Sequence, residues 1–267
     1  MRNFSCTVGE ICRVLEAFAP LSWQEDYDNC GLILGRASQE VSAVLLCIDV
    51  TEEVIDEALE LGCQLIVSHH PLLFSGLKRI GDADYVERCV VKAIKNDMAV
   101  YAAHTCWDNA PQGVNYKIAE KIGLRNVTTL VPKSGCLNEN VGSGVIGELE
   151  MPENELDFLN RLKNIFAIEC IKHSPLLNKP VKRIALCGGS GSEFLQTAIS
   201  RKADVFLTAD VKYHTFFAAD GRILMADIGH FESEQFTKEI FFEQLQKKIP
   251  KFAIHFSKIK TNQINYL

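Results

Sequence analysis

The chain has 267 residues, 47% of them apolar, which is enough for one large α/β core or two smaller ones. Its 28 basic and 34 acidic residues give a formal net charge of −6, and no run of basic residues stands out. This acidic balance argues against a nucleic-acid groove or an anionic membrane surface as the main partner. Because no stretch approaches the roughly 18 apolar residues of a membrane span, we expect a cytoplasmic protein.

The ten cysteines are scattered along the chain and include no C-x-x-C pair. This spacing argues against a structural zinc knuckle or a thioredoxin-type redox site. Several of them, such as Cys47 and Cys187, lie in apolar runs typical of strands, where a reduced thiol packs as a small apolar side chain. We therefore expect reduced, mostly buried thiols and no disulfides.

The predicted elements of the first half alternate between helices and strands. Thr7 and Glu10 have the spacing of a capping box, and apolar residues follow at helical intervals, which predicts a helix over 8–18. Apolar runs predict strands at 43–49, 64–68 and 98–103, and the segments between and after them predict helices at 52–61, 85–96 and 113–123. Such continuous apolar runs are typical of parallel strands covered on both faces, so this half is predicted to be an α/β unit.

The stretch 125–150 is rich in glycine and breaks this rhythm, so we predict that it is the passage into a second unit. The α/β rhythm then resumes. The remaining predicted elements are a helix at 153–164, strands at 166–172 and 182–187, a helix at 193–201, strands at 204–208 and 222–227, a long helix at 231–248 and a strand at 252–257.

Three predicted strands end close to histidine and carboxylate residues. These residues are His69 and His70, then His104 and Asp108, and finally His230 and Glu234. Taken alone, each group has an ordinary explanation as a turn, a cap or a charge in the first turn of a helix. Ligands of parallel sheets bind at the carboxyl ends of the strands, however, so we expect the three groups to meet in one crevice. Imidazoles and carboxylates without a thiolate suit zinc, iron or manganese.

Six sequence blocks resemble, in the same order, those of the Nif-three-like family, whose members are often labelled GTP cyclohydrolase I type 2 homologues. The blocks lie at 23–35, 68–71, 104–108, 187–191, 208–214 and 227–234, so the resemblance covers essentially the whole chain. One departure is Tyr27, where the family more often has a tryptophan. Because of the length of this chain, we expect it to lack the extra domain that is inserted in longer relatives.

The resemblance implies an α/β fold of two related lobes, with mixed, largely parallel sheets flanked by helices. The first lobe would combine residues 1–126 with 222–267 and carry most of the metal ligands, and the second would be 127–221. It also implies two divalent metal ions about 3.5–4 Å apart. Their ligands would be His69, His70, Asp108, His230 and Glu234. His104 would lie beside them as an occasional ligand or a neighbour of one, and the chains would assemble into ring-shaped hexamers.

Hydrolysis is the leading functional prediction, because two ions that share a carboxylate lower the pKa of a bridging water and polarise the substrate. The family label implies that water adds to the purine ring of GTP, that the ring opens and that formate leaves. His214, or else His104, would then move protons. Lys212, Lys78 and Arg79 are candidates for contact with the triphosphate, or else solvated surface cations.

Several alternatives stay open at this point. The segment 187–193 follows a strand and opens a helix, so its amides could bind a phosphate, although a tight turn explains it almost as well. His173 and His255 have no companions and are predicted to be structural. The alternative to an enzyme is a non-catalytic metal-binding scaffold or regulator that acts through protein interactions. A catalytic site should keep an open coordination position, whereas a structural site is closed by protein ligands.

Overall fold

The computed structural model describes residues 5–267, and the chain divides into two compact units. The first unit contains the residues up to Trp107 together with Thr237–Gln263. The second contains Asp108–Phe236 and Ile264–Leu267. The lobes predicted above, 1–126 plus 222–267 and 127–221, stay a prediction about how the chain is organised.

The described part of the chain forms strands and helices in alternation. The strands are β1 (Cys6–Thr7), β2 (Gly31–Leu34), β3 (Glu40–Val41), β4 (Ala43–Cys47), β5 (Leu65–Ser68), β6 (Ala99–Ala102), β7 (Arg125–Pro132), β8 (Gly142–Asn154), β9 (Lys172–His173), β10 (Pro180–Ser190), β11 (Val205–Ala209), β12 (Leu224–Asp227) and β13 (Ala253–Phe256). The helices are α1 (Val8–Phe18), α2 (Glu52–Glu60), α3 (Tyr85–Lys95), α4 (Thr105–Asp108), α5 (Val114–Ile122), α6 (Glu155–Phe166), α7 (Leu195–Ser200), α8 (His230–Glu234) and α9 (Thr237–Lys248). Short 3₁₀ helices lie at Leu21–Trp23, Ser192–Phe194 and Tyr213–Ala219.

The first unit is built on a five-stranded sheet with the order β13-β4-β5-β6-β2. Its strands are parallel except β2, which runs antiparallel to β6. Every residue of β4, β5 and β6 is buried, which explains their continuous apolar sequences. Leu45, Ile66 and Val100 of these strands pack with helix residues such as Val54 and Val90 in one core. Because β5 and β6 are parallel neighbours, their carboxyl ends lie at the same edge of the sheet.

The second unit is built on a six-stranded sheet with the order β7-β8-β10-β11-β12-β9. β10, β11 and β12 are parallel, and the other pairings are antiparallel. Phe206 and Met225 of this sheet pack with Leu195 of α7 in a core of their own. The observed fold is therefore α/β with mixed sheets flanked by helices, as predicted.

Two sequence-based assignments were wrong, and the stretch 125–150 has more structure than was predicted. This stretch forms β7 and most of β8, an antiparallel pair with many polar side chains. The strand predicted at 166–172 shrinks to β9, because α6 continues to Phe166 and Ala167 takes a left-handed conformation with φ of 53°. The helix predicted at 231–248 is divided into α8 and α9, and the side-chain amide of Gln235 donates to the carbonyl of Glu232 (2.8 Å) at the break.

Two further expectations concern thiols and membranes. All ten cysteines lie in the described part of the chain and are free thiols in this structure. No helix within residues 5–267 has the length and apolar character needed to cross a membrane.

Candidate metal centre

Three imidazoles come together at the carboxyl edge of the first unit's sheet. β5 ends immediately before His69 and His70, and β6 ends two residues before His104. The two strands are in register, since their last residues, Ser68 and Ala102, are paired. One ligand nitrogen from each of the three histidines lies within 4.8 Å of the other two, so the group could hold a metal ion.

Each imidazole of this group is oriented by a hydrogen bond from its Nδ1–H. The acceptors are the Ala103 carbonyl for His69 at 3.0 Å, Asp49 Oδ1 for His70 at 2.7 Å and Asp28 Oδ1 for His104 at 2.8 Å. A carbonyl or carboxylate oxygen only accepts, so each Nδ1 carries the proton and each Nε2 carries the lone pair that a metal requires. Metal-binding histidines almost always have such a partner. The donor set therefore fits a divalent metal.

Asp28 is held rigidly as an anion. Its side chain is fully buried, and besides His104 it accepts hydrogen bonds from the backbone amide and the hydroxyl of Thr105 and from the thiol of Cys30 (3.1 Å). Burial alone would raise the pKa of Asp28, but the hydrogen bonds from His104 and Thr105 hold it well below its usual range. Asp28 is therefore a fixed negative charge behind His104.

Asp49 has the same relation to His70. The hydroxyl of Thr261 donates to its second oxygen at 2.6 Å, so both carboxylate oxygens are used. Burial opposes ionisation, yet the hydrogen bond from His70 lowers the pKa of Asp49 below its ordinary value. The side chain is thus an ionised acceptor that holds the ring of His70 in one orientation.

The second unit presents a histidine and a carboxylate on α8. Nε2 of His230 lies 3.2 Å from Oε2 of Glu234, and its Nδ1–H donates to Asp210 Oδ2 at 2.7 Å. Burial would lower the pKa of His230, but the negative charges of Glu234 and Asp210 raise it to about 11. This environment stabilises a positive charge between Nε2 and the carboxylate, and a divalent cation there would satisfy both ligands.

Gly189 allows the backbone to approach this pair closely. It has φ of +59°, and a Cβ at this position would lie 2.2 Å from Oε1 of Glu234 and 3.2 Å from Nε2 of His230. Only glycine combines this conformation with this space. The glycine-rich stretch at the end of β10 was singled out in the sequence, and the role of Gly189 here is to make room for α8.

The phosphate-binding alternative for 187–193 stays a prediction, although three backbone amides of the segment already have protein acceptors. Gly188 donates to Asn115 Oδ1, Gly189 to Ser233 Oγ and Gly191 to Thr208 Oγ1, each at 2.9 Å. β10 continues to Ser190, and a short 3₁₀ helix begins at Ser192, with Gly191 as its N-cap.

The remaining predicted site residues are Asp108 and His214. Asp108 is the last residue of α4, and its carbonyl accepts from the side-chain amide of Asn115 at 3.0 Å. His214 lies exposed on the 3₁₀ helix Tyr213–Ala219, with its ring 5.1 Å from that of Tyr213. The assignment of proton transfer to His214 or His104 stays a prediction.

Sequence reasoning missed the three carboxylates that orient the histidines. Asp49 and Asp210 follow β4 and β11 at the carboxyl edges of their sheets, which is the same signal that identified the histidines. Asp28 carries no such signal, since it precedes β2 and acts on a histidine 76 residues away. Its position within the first family block was the available indication.

Comparisons with known proteins identify the family. A family model described as Duf34/NIF3 (NGG1p interacting factor 3) matches residues 6–263. The chain belongs to this family. A Clostridium perfringens protein named GTP cyclohydrolase 1 type 2 homolog is 36% identical over 230 residues, which are 85% of this chain and 86% of that protein. A Clostridium acetobutylicum protein of the same name is 31% identical over 254 residues, or 94% of each chain.

Solved structures agree on the fold of this NIF3 family member. The crystal structure of a Bacillus cereus protein related to NIF3 superposes with a TM-score of 0.90 and 24% identity, covering 98% of this chain and 99% of that one. At this identity the likeness concerns the fold alone. The resemblance found in the sequence and the fold that it implied are thus both confirmed.

Proposed function

We propose that this chain is a hydrolase that depends on two divalent metal ions, with zinc, iron and manganese as the candidates. The proposed ligands are His69, His70, Asp108, His230 and Glu234. The observation that most supports metal binding is the shared orientation of the imidazoles. The Nδ1–H of each of His69, His70, His104 and His230 donates to an oxygen, so Nε2 is the atom that each ring would offer to a metal on losing any proton there.

The proposed reaction is water addition to the ring of a purine nucleotide and ring opening to a formamide, which a second water hydrolyses with release of formate. Two divalent ions held by the proposed ligands would acidify a bound water and polarise the substrate. The residues of the chain orient these groups: Asp49 and Asp210 hold the rings of His70 and His230 in place. We assign proton transfer to His214, or else to His104. Relatives named GTP cyclohydrolase 1 type 2 homolog support this choice of substrate class.

The proposal also includes the setting of the reaction. The protein would act in the cytoplasm as a ring-shaped homohexamer on a small-molecule substrate, without a membrane or nucleic-acid partner. The net charge of −6 supports the last point, because nucleic-acid surfaces attract basic proteins.

Formate release from GTP tests the reaction directly. The apoprotein is reconstituted separately with zinc, manganese and iron under reducing conditions, and formate is measured beside a His69→Ala, His230→Ala double variant. A His173→Ala, His255→Ala double variant serves as the control, since neither histidine is a proposed ligand. We expect formate from the wild type and the control and none from the ligand variant.

The alternative, a non-catalytic metal-binding scaffold, predicts a different result. Protein that demonstrably holds two ions would then release no formate with any of the three metals. That outcome would contradict the cyclohydrolase proposal while leaving metal binding in place. Formate release that persists in the ligand variant would contradict the proposed ligands.

A further inference from the structure

The segment that follows His70 is a long loop held against the core. Residues 71–84 contain no helix or strand and lead into α3, whose N-cap is Asp84. Ordered loops of more than about 12 residues without secondary structure usually carry a function. Leu73 and Leu77 pack against the core of the first unit, and the side-chain amide of Asn29 donates to the Leu73 carbonyl at 2.6 Å. The loop is therefore anchored on both sides of Phe74.

Phe74 stays 51% exposed, although Leu73 and Leu77 on either side of it are partly buried. Its ring lies 5.4 Å from that of His104 in an edge-to-face arrangement, with an interplanar angle of 89°. His104 belongs to the imidazole group that could hold a metal ion. An apolar ring is thus presented to solvent directly beside the candidate metal centre, where a planar heterocycle could stack on it.

Two adjacent cations follow in the same loop. Lys78 and Arg79 are exposed, and neither forms an ion pair with another residue of the described chain. They lie four and five residues after Phe74, at most roughly 17 Å away along an extended backbone. The protein as a whole has a net charge of −6, so two exposed cations without ion-pair partners among the described residues create a local positive potential that would attract an anionic group.

We propose that the loop 71–84 forms the binding site for a purine nucleotide, with Phe74 stacking on the base and Lys78 and Arg79 binding the phosphates. This inference rests on the proposed function and names the residues that recognise its substrate. The order of the loop residues matches the order of base and phosphates in a nucleotide. The ring of Phe74 lies against His104 of the candidate metal centre, where the base would react. The two cations lie farther along the loop, where the phosphates would bind. Phe74 is a substrate-binding residue here.

Equilibrium binding to the zinc-loaded full chain tests the two parts separately. The probes are GTP, guanosine and inorganic triphosphate, measured by calorimetry for Phe74→Leu, Phe74→Tyr and a Lys78→Gln, Arg79→Gln double variant. We expect Phe74→Leu to weaken guanosine and GTP about tenfold, the usual size of a base–aromatic stack, and to leave triphosphate unchanged. Phe74→Tyr should bind as the wild type does. The double variant should lose affinity for triphosphate and GTP but not for guanosine.

Matched controls lie in the same unit. Tyr85 is 58% exposed, and Tyr85→Leu removes an exposed aromatic ring at the start of α3. A Lys247→Gln, Lys248→Gln variant removes an adjacent pair of exposed cations from α9. Zinc content is measured in every variant, since the loop residues are not proposed ligands. Equal effects of Phe74→Leu and Tyr85→Leu, or the absence of GTP binding to the wild type, would overturn the inference.

Formate release measured in parallel separates this inference from the proposed function. If GTP binding requires Phe74 but no formate appears, the binding site stands and hydrolysis fails. If formate is released and Phe74→Leu binds and reacts as the wild type does, hydrolysis stands and the assigned site is wrong.

Discussion

Three carboxylates orient histidines of the candidate site, those of Asp28, Asp49 and Asp210. Each of them contacts Nδ1 of the ring, while Nε2 is the proposed metal ligand. Each carboxylate accepts from an Nδ1–H at 2.7 or 2.8 Å. The pKa of each carboxyl group is lowered, so the acceptors are ionised at neutral pH. An ionised acceptor fixes the tautomer and increases the electron density on the imidazole, which strengthens a bond from Nε2 to a metal.

Removing one such acceptor should weaken metal binding without removing a ligand. For Asp210→Ala we expect zinc affinity to fall about 10- to 100-fold, and for Asp210→Asn, which retains an acceptor oxygen, a smaller loss. Asp220→Ala is the control, because Asp210 and Asp220 have similar left-handed conformations, with φ of 53° and 48°. A competition titration against a chromophoric zinc chelator measures the affinities. An equal loss in the control would show that backbone strain is the cause.

The thiols give a second prediction for single residues. Burial, reinforced by neighbouring glutamates, raises the pKa of Cys63 and that of Cys89 to about 11. At pH 8 such a thiol is only about 0.1% thiolate, because the raised pKa favours the neutral form until the pH approaches 11. Iodoacetamide at pH 8 should therefore label the exposed Cys170 and spare these two.

Peptide mass spectrometry of the folded protein over time would measure this labelling. Protein unfolded in urea is the control, and there the three cysteines should react at similar rates. Labelling of Cys63 or Cys89 as fast as Cys170 in the folded protein would contradict the burial of these thiols.

At the scale of elements, Gly189 decides how closely β10 can approach α8. Gly189→Ala should displace the Glu234 carboxylate, because the added Cβ would lie 2.2 Å from Oε1. Gly221→Ala is the matched control, since Gly221 has φ of +64° and a Cβ added there would have no neighbouring atom within 4 Å. Both substitutions should cost about 1–2 kcal/mol of backbone strain in urea unfolding. Only Gly189→Ala should also lower zinc affinity, by about tenfold.

Zinc titration and urea unfolding of the two variants separate these effects. A Gly189→Ala variant with the zinc affinity of Gly221→Ala would show that α8 moves freely away from the strand. The proposed position of Glu234 at the metal would then be unnecessary for binding.

Elements whose signals are local were predictable from the sequence. α1 begins at Val8 as expected, because Thr7 and Glu10 form a complete capping box within one turn. The parallel strands β4, β5 and β6 were equally clear, because burial on both faces makes their sequences continuously apolar. The helix break after Glu234 was not predictable, since its hydrogen bonds come from Gln235 to carbonyls that include Phe166, far away in the sequence.

The same distinction applies to the candidate site: residues with local sequence signals were predictable, and those that depend on distant contacts were not. Strand ends and the i, i+4 spacing identified His69, His70, His230 and Glu234, because these are short-range features of the sequence. The pairing of His104 with Asp28 depends on tertiary contacts across 76 residues, and Phe74 became a candidate only through its exposure beside His104. Interactions between side chains that are far apart in the sequence can be identified only once the fold is known.

At the scale of the whole molecule, metal binding should appear as stability. A ligand that binds only the folded state stabilises it by about 2.7 kcal/mol when its concentration is 100 times its Kd. For a protein of this size that corresponds to a rise in Tm of roughly 5–10 °C. We expect zinc to produce this rise in chelator-stripped wild type and in the His173→Ala, His255→Ala control, measured by differential scanning calorimetry. The His69→Ala, His230→Ala variant should melt at the same temperature with and without zinc, and a full shift in that variant would place the metal on other residues.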